Sequence, residues 1–257
     1  MADGVVGTFA AALWRAARRR RTPVALCYHG VGPRPADGDP HGLMVDREAF
    51  AAQLDTLIGT GYRLVTAAEL WAAVAADGPD AADGLAAITF DDGLDETLDT
   101  AAGMLAERGG RGTAFVPSDL LGSPHPDLPG HRIAGAAQLR ELARAGMEIG
   151  SHSAGHHDLR LLAGDALERE LADSRRGLED VLGAPVAGIA YPYGGYTAAT
   201  MAAARQAGYT YGCACSGPGP WRPFAVPREP VFPSTSTFRL RLKAAGLYGP
   251  VHAWRSR

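Results

Sequence analysis

The 257-residue chain is short of cysteine, of long apolar runs and of net charge, and each shortage removes a class of protein. Its three cysteines, Cys27, Cys213 and Cys215, are an odd number, and two of them lie only two residues apart. That is poor material for a disulfide framework and fits a reducing compartment. No stretch approaches the ~20 consecutive apolar residues of a membrane-spanning helix. The formal net charge of -3 implies no polyanion-binding surface, so nucleic acid is not an expected partner. Gly109-Gly110-Arg111-Gly112 is not a dinucleotide fingerprint, and no phosphate-cradling loop occurs. Internal repeats and low-complexity tracts are missing as well. What is present is a 46% apolar composition, enough for one sizeable core.

The first 22 residues read as a basic amphipathic segment. Val5 to Trp14 is modestly apolar, and Arg15 with Arg18 to Arg21 follows it, the reverse of the order in a secretory signal. A cytoplasmic chain is therefore expected. Phe9, Leu13 and Trp14 could share one face of a helix beside this basic end and rest on an anionic membrane surface. An ordinary surface helix would read the same way.

From residue 23 to residue 232, β-rich runs alternate with helical patterns, which predicts an α/β domain with a parallel sheet. Pro23 to Tyr28, Leu85 to Phe90, Thr113 to Val116, Met147 to Ile149, Val186 to Tyr191 and Tyr209 to Cys213 read as strands. Leu85 to Phe90 is apolar throughout but for Thr89, as a strand buried on both faces requires. Thr66 and Glu69 form a capping box ahead of a helix. Residues 233–257 read as a basic tail, with an amphipathic stretch from Phe238 to Leu247.

Four of the predicted strands end in polar or special residues: His29, Asp91-Asp92-Gly93, His152 and Pro192-Tyr193. In parallel α/β folds the carboxyl ends of strands gather on one face, so these residues become spatial neighbours. Two adjacent carboxylates after a buried strand repel each other and lose hydration, and a cation relieves that cost. Asp-Asp-Gly is also an ordinary turn sequence. His152 and His156, four residues apart, can reach one ion. With one carboxylate they make three nitrogen and oxygen ligands and leave room for water, the layout of a catalytic metal site. His157 competes with His156 for that role.

Thr89-Phe90-Asp91-Asp92-Gly93, Glu148-Ile149-Gly150-Ser151-His152-Ser153-Ala154-Gly155-His156 and Ala190-Tyr191-Pro192-Tyr193-Gly194 resemble the motifs of the polysaccharide deacetylases, the family-4 carbohydrate esterases. The likeness runs from about Val24 to Arg228. It implies a distorted (β/α) barrel of about seven parallel strands, the NodB-homology fold. It further implies that Asp92, His152 and His156 hold a divalent metal, that Asp91 is the catalytic base, and that the backbone N–H of Tyr193 stabilises the oxyanion. Zinc is the default metal, and the same donors accept cobalt, nickel or iron.

The chain departs from the commonest family pattern twice. Ala190 stands where an arginine often steadies the base, and no C-terminal histidine fits the usual acid, His252 lying in a polar tail. Cys27-Tyr28-His29-Gly30-Val31 resembles the N-terminal Tyr-His segment of the poly-N-acetylglucosamine deacetylases, which makes His29 the candidate acid, against a histidine that anchors a loop. Arg228 is the candidate replacement for the missing arginine, against an ordinary surface role. Trp221 either stacks on a sugar ring or packs in the core.

The expected activity is hydrolysis of an N-acetyl group on an amino sugar, with a glycan, oligosaccharide or sugar conjugate as partner. Two alternatives stay open: a deformylase or deacetylase of a lipid-linked or nucleotide-linked sugar, and a non-catalytic sugar-binding module.

Overall fold

The computed structural model describes residues 21–33, 39–215 and 217–248. Most of the expected N-terminal segment, residues 1–20, and His252 lie outside these residues. Strand β1 (Val24–Tyr28) leads into a two-stranded annex of β2 (Gly30–Val31) with β3 (Met44–Val45). The main sheet adds β4 (Arg63–Val65), β5 (Leu85–Phe90), β6 (Thr113–Val116), β7 (Glu148–Ser151), β8 (Gly188–Ala190), β9 (Tyr211–Cys213) and β10 (Glu229–Pro230). The helices are α1 (Arg47–Gly59), α2 (Ala67–Asp77), α3 (Asp95–Ala106), α4 (Ala136–Arg144), α5 (Gly164–Leu182), α6 (Ala198–Gln206) and α7 (Thr237–Ala244). Thr66 caps α2 through the reciprocal bonds of a capping box with Glu69.

The sheet runs β10-β1-β5-β6-β7-β8-β9, seven parallel strands curled into a half-barrel, with β4 paired to β5 off that path. This is the expected barrel. Its two ends meet where Cys213 bridges Val226, just ahead of β10. All six residues of β5 are buried, as its apolar run requires. Leu26, Ile88, Phe90, Ala114 and Ile189 from the strands join Phe50, Leu98, Leu139 and Leu171 from the helices in one core.

Register decides what reaches the rim. Tyr28 lies opposite Phe90 and Val116 opposite Ser151, so His29 and Asp91 leave their strands at one level, and His152 follows from β7.

Two expectations are corrected. Residues 233–248 do not trail as a tail, because α7 buries Leu240 and Leu242 and its Lys243 pairs with buried Glu229 at 2.8 Å. That pair and those leucines turn inward part of the amphipathic stretch. Trp221 lies beside Thr22 to Ala25, at the amino end of β1, and so opposite the rim of strand carboxyl ends. Among the described residues no helix is long and apolar enough to cross a membrane.

Candidate active site

A cavity of about 370 Å³ opens at the carboxyl ends of the strands. His29, Asp91, Asp92, His152, His156 and Tyr193 line it together, and Trp221 does not. Each is presented by a chain that has just left a strand.

The turn after β5 explains the Asp-Asp-Gly sequence. Asp91 continues the ladder through its N–H to the Tyr28 carbonyl at 2.9 Å, and then Asp92 (φ 66°) and Gly93 (φ 68°) both take the left-handed region. A Cβ on residue 93 would sit 2.8 Å from Val116 Cγ1, so only glycine fits there. The two carboxylates are thereby sent to different partners.

Asp92 faces three imidazoles. Its Oδ1 is 3.4 Å from His152 Nε2 and 3.2 Å from His156 Nε2, and its Oδ2 is 3.5 Å from His125 Nε2. Burial works against its charge, but hydrogen bonds from the three histidines hold the carboxyl well below the usual range. One ligand atom each from Asp92, His152 and His156 lies within 4.8 Å of the others. Two ligands ~2.0–2.1 Å from one tetrahedral ion stand roughly 3.3 Å apart, which matches these separations. His152 Nδ1 contacts the Ala190 carbonyl at 2.9 Å, and a carbonyl only accepts, so Nδ1 carries the hydrogen and Nε2 is left to bind. The donor set fits a divalent ion.

The loop that carries the histidines is held from behind. Glu170 Oε2 on α5 accepts the N–H groups of Ala154 and Gly155 at 3.1 and 3.0 Å, and Ser153 Oγ accepts that of His156 at 3.1 Å. His157 turns outward, its Nδ1 2.8 Å from Glu170 Oε1. That geometry separates His156 from its neighbour.

Asp91 is clamped by Arg228. Nη1 donates to Oδ1 at 2.6 Å and Nη2 to Oδ2 at 2.7 Å, a bidentate fork, while Nε donates to the Ala214 carbonyl at 3.0 Å. Arg228 is fully buried, and Phe115 lies under its guanidinium, 5.3 Å from the ring centre. Burial pushes the Asp91 carboxyl up, but the charge and hydrogen bonds of Arg228, together with the charges of His152 and His29, lower it to about 2. The Arg228 side chain reaches Asp91 from the segment ahead of β10.

A family model described as polysaccharide deacetylase matches residues 78–212. The chain belongs to the polysaccharide deacetylase family. A curated relative, a putative polysaccharide deacetylase YxkH of Bacillus subtilis, is 28% identical over 187 residues, which cover 73% of this chain. The chain spans only 62% of that relative's length. The structure of IcaB from Ammonifex degensii superposes with a TM-score of 0.72 at 26% identity, covering 88% of this chain and 97% of that one. The Streptococcus pyogenes deacetylase PplD, solved with acetate, superposes at 0.75 with 22% identity, covering 88% and 99%, a likeness of fold.

Another member of the site carried no signal in the sequence. His125 sits in the loop Ser123-Pro124-His125-Pro126-Asp127, where nothing is periodic. Its Nδ1 accepts the Asp127 N–H at 3.1 Å, so in the neutral ring the hydrogen is on Nε2, facing Asp92. That turns a donor toward the Asp92 carboxylate. Cys27 Sγ donates to Asp91 Oδ2 at 3.3 Å, and only its place beside the Tyr-His segment hinted at the site. Tyr193, 62% exposed, takes φ 59° beside the His156 ring. His29 is half-buried at the cavity wall.

Proposed function

We propose that this chain is a metal-dependent hydrolase that removes an N-acetyl group from an amino sugar, poly-N-acetylglucosamine being the polymer its Tyr28-His29 segment suggests. One observation carries the reading: a base held by a buried arginine, a half-buried histidine and three metal-type donors converge on one cavity. Family membership supports the reaction class.

Asp92, His152 and His156 would hold a divalent ion, which when bound would supply Lewis-acid polarisation of the amide and acidify the attacking water. Asp91 accepts the proton of the attacking water. Arg228 keeps that carboxylate ionised and aimed, so the carboxylate works by position more than by basicity. The Tyr193 backbone N–H is the oxyanion donor in this reading, on a residue with φ 59° at the cavity wall. His29, protonated, delivers a proton to the nitrogen, without which the amine leaves poorly. Phe232, 40% exposed at the cavity mouth, offers the aromatic face for a sugar ring in place of Trp221.

Acetate release tests the proposal, measured on poly-N-acetylglucosamine oligomers, chitooligosaccharides, UDP-N-acetylglucosamine and a lipid-linked sugar, with metal analysis of the same sample. Acetate from the polymers supports it. Binding of the sugars without release of acetate from any would make the chain a sugar-binding module.

A further inference from the structure

The thiol of Cys27 has no part in the hydrolysis, yet it lies against the base. Ligand atoms of Cys27, His29 and Asp91 fall within 4.8 Å of one another, a second sulfur, nitrogen and oxygen cluster beside the first. Cys27 and Asp91 are buried, while His29 and Asp91 open on the cavity, which supplies a way in. His29 Nδ1 is buried and has no hydrogen-bond partner among the described residues. Such an orphan costs about 1–3 kcal/mol, which a ligand at the site would relieve.

We propose that Cys27, His29 and Asp91 form a second, inhibitory site for a soft divalent cation, zinc or cadmium. The ion replaces the thiol proton, which leaves to solvent, so the S–H···O contact to Asp91 Oδ2 becomes a sulfur–metal–oxygen bridge. Bonds of ~2.3 Å to sulfur and ~2.1 Å to oxygen at a tetrahedral ion put those atoms roughly 3.6 Å apart, and the observed separation is 3.3 Å. Little has to move. Arg228 opposes a cation here: Asp91 already neutralises it, so exchanging the thiol proton for a dication adds one positive charge beside the guanidinium, which the bonds to sulfur and nitrogen must outweigh. A softer ion gains more from the sulfur than a hard one such as magnesium. The site occupies the base and the acid together, so filling it removes both proton transfers.

This consequence for turnover rests on the proposed hydrolysis, but binding does not, and the test separates them. The full chain is loaded with one equivalent of zinc and titrated with cadmium, following the thiolate-to-cadmium ultraviolet band, bound metal and acetate release. Wild type should take a second equivalent, develop the band and lose at least tenfold in acetate release. Cys27→Ser should lose the band and the second equivalent, while Asp92→Ala, short of a first-site donor, should keep the band. Thermal melting checks each fold, and His29→Ala, which leaves the buried core intact, should weaken the second binding at least tenfold if Cys27→Ser misfolds. A single equivalent with no band in wild type overturns the proposal, as does a band that survives in folded Cys27→Ser. If the second ion binds but no sugar yields acetate, the hydrolysis falls and this site stands.

Discussion

Four non-glycine residues among those described take a positive φ: Asp92, Ser153, His156 and Tyr193, and all belong to the site. Such conformations cost about 1–3 kcal/mol each and persist where surroundings over-determine them, here through Glu170, through Ser174 Oγ, which donates to the Ser153 carbonyl at 2.9 Å, and through Gly93. The adjacent aspartates have separate partners, and substitution should separate them. Asp92→Ala should lose bound metal and acetate release together. Asp91→Asn should keep the metal and lose turnover, although the fold is weakened because Arg228 is left unpaired. Metal analysis beside acetate release reads both, and near-native turnover in Asp91→Asn would remove Asp91 as the base. Arg228→Met leaves a buried carboxylate without its cation and should cost about 3–5 kcal/mol, read from urea unfolding at neutral pH. A cost near zero would mean that the clamp contributes only position.

At the scale of elements, the site depends on strands packed without slack. On β7, two residues before His152, a Cβ at Gly150 would come within 2.5 Å of the Phe115 ring and 3.1 Å of the Gly188 carbonyl. Phe115 is itself fully buried and packed under Arg228, which limits its retreat. Gly150→Ala should therefore destabilise by about 1–3 kcal/mol, and roughly 2–4 °C of melting temperature accompanies each kcal/mol at this size. Activity should fall with it, since the shift passes through Phe115 to the arginine that holds Asp91. An unchanged melting temperature would show that the strands yield more easily than their packing implies.

For the whole molecule, the buried Asp91–Arg228 pair ties the seam of the half-barrel to its central strands. The carboxyl titrates at about 2 in the fold, below the ~3.9 of an unfolded aspartate. A depressed carboxyl stabilises fully above the unfolded value and loses that contribution as pH falls through the folded one. The pair should thus contribute on the order of 2 kcal/mol above about pH 4, fading toward pH 2. Urea midpoints of wild type and Arg228→Met should stand furthest apart at neutral pH and converge as pH falls toward 2. Continued separation at pH 2 would assign the stabilisation to something other than this charge.

Much of this was legible in the chain. Buried parallel strands are continuous apolar runs, so β5 and β6 could be read residue for residue, and polar residues at their carboxyl ends had one face to share. Asp91, Asp92 and His152 follow from that rule alone. Tertiary structure decided the rest. Arg228 is 137 residues from Asp91, and no local pattern tells a buried arginine from a surface one until register brings β10 beside β1. His156 parts from His157 because Glu170, on a helix behind the loop, takes the second ring. Trp221 falls at the amino end of β1 and Phe232 at the cavity mouth because strand direction, invisible in an aromatic residue itself, sets which end of the barrel a side chain meets. Local sequence specifies strands and turns through short-range sterics and burial; which charges and rings face one another depends on closing the sheet.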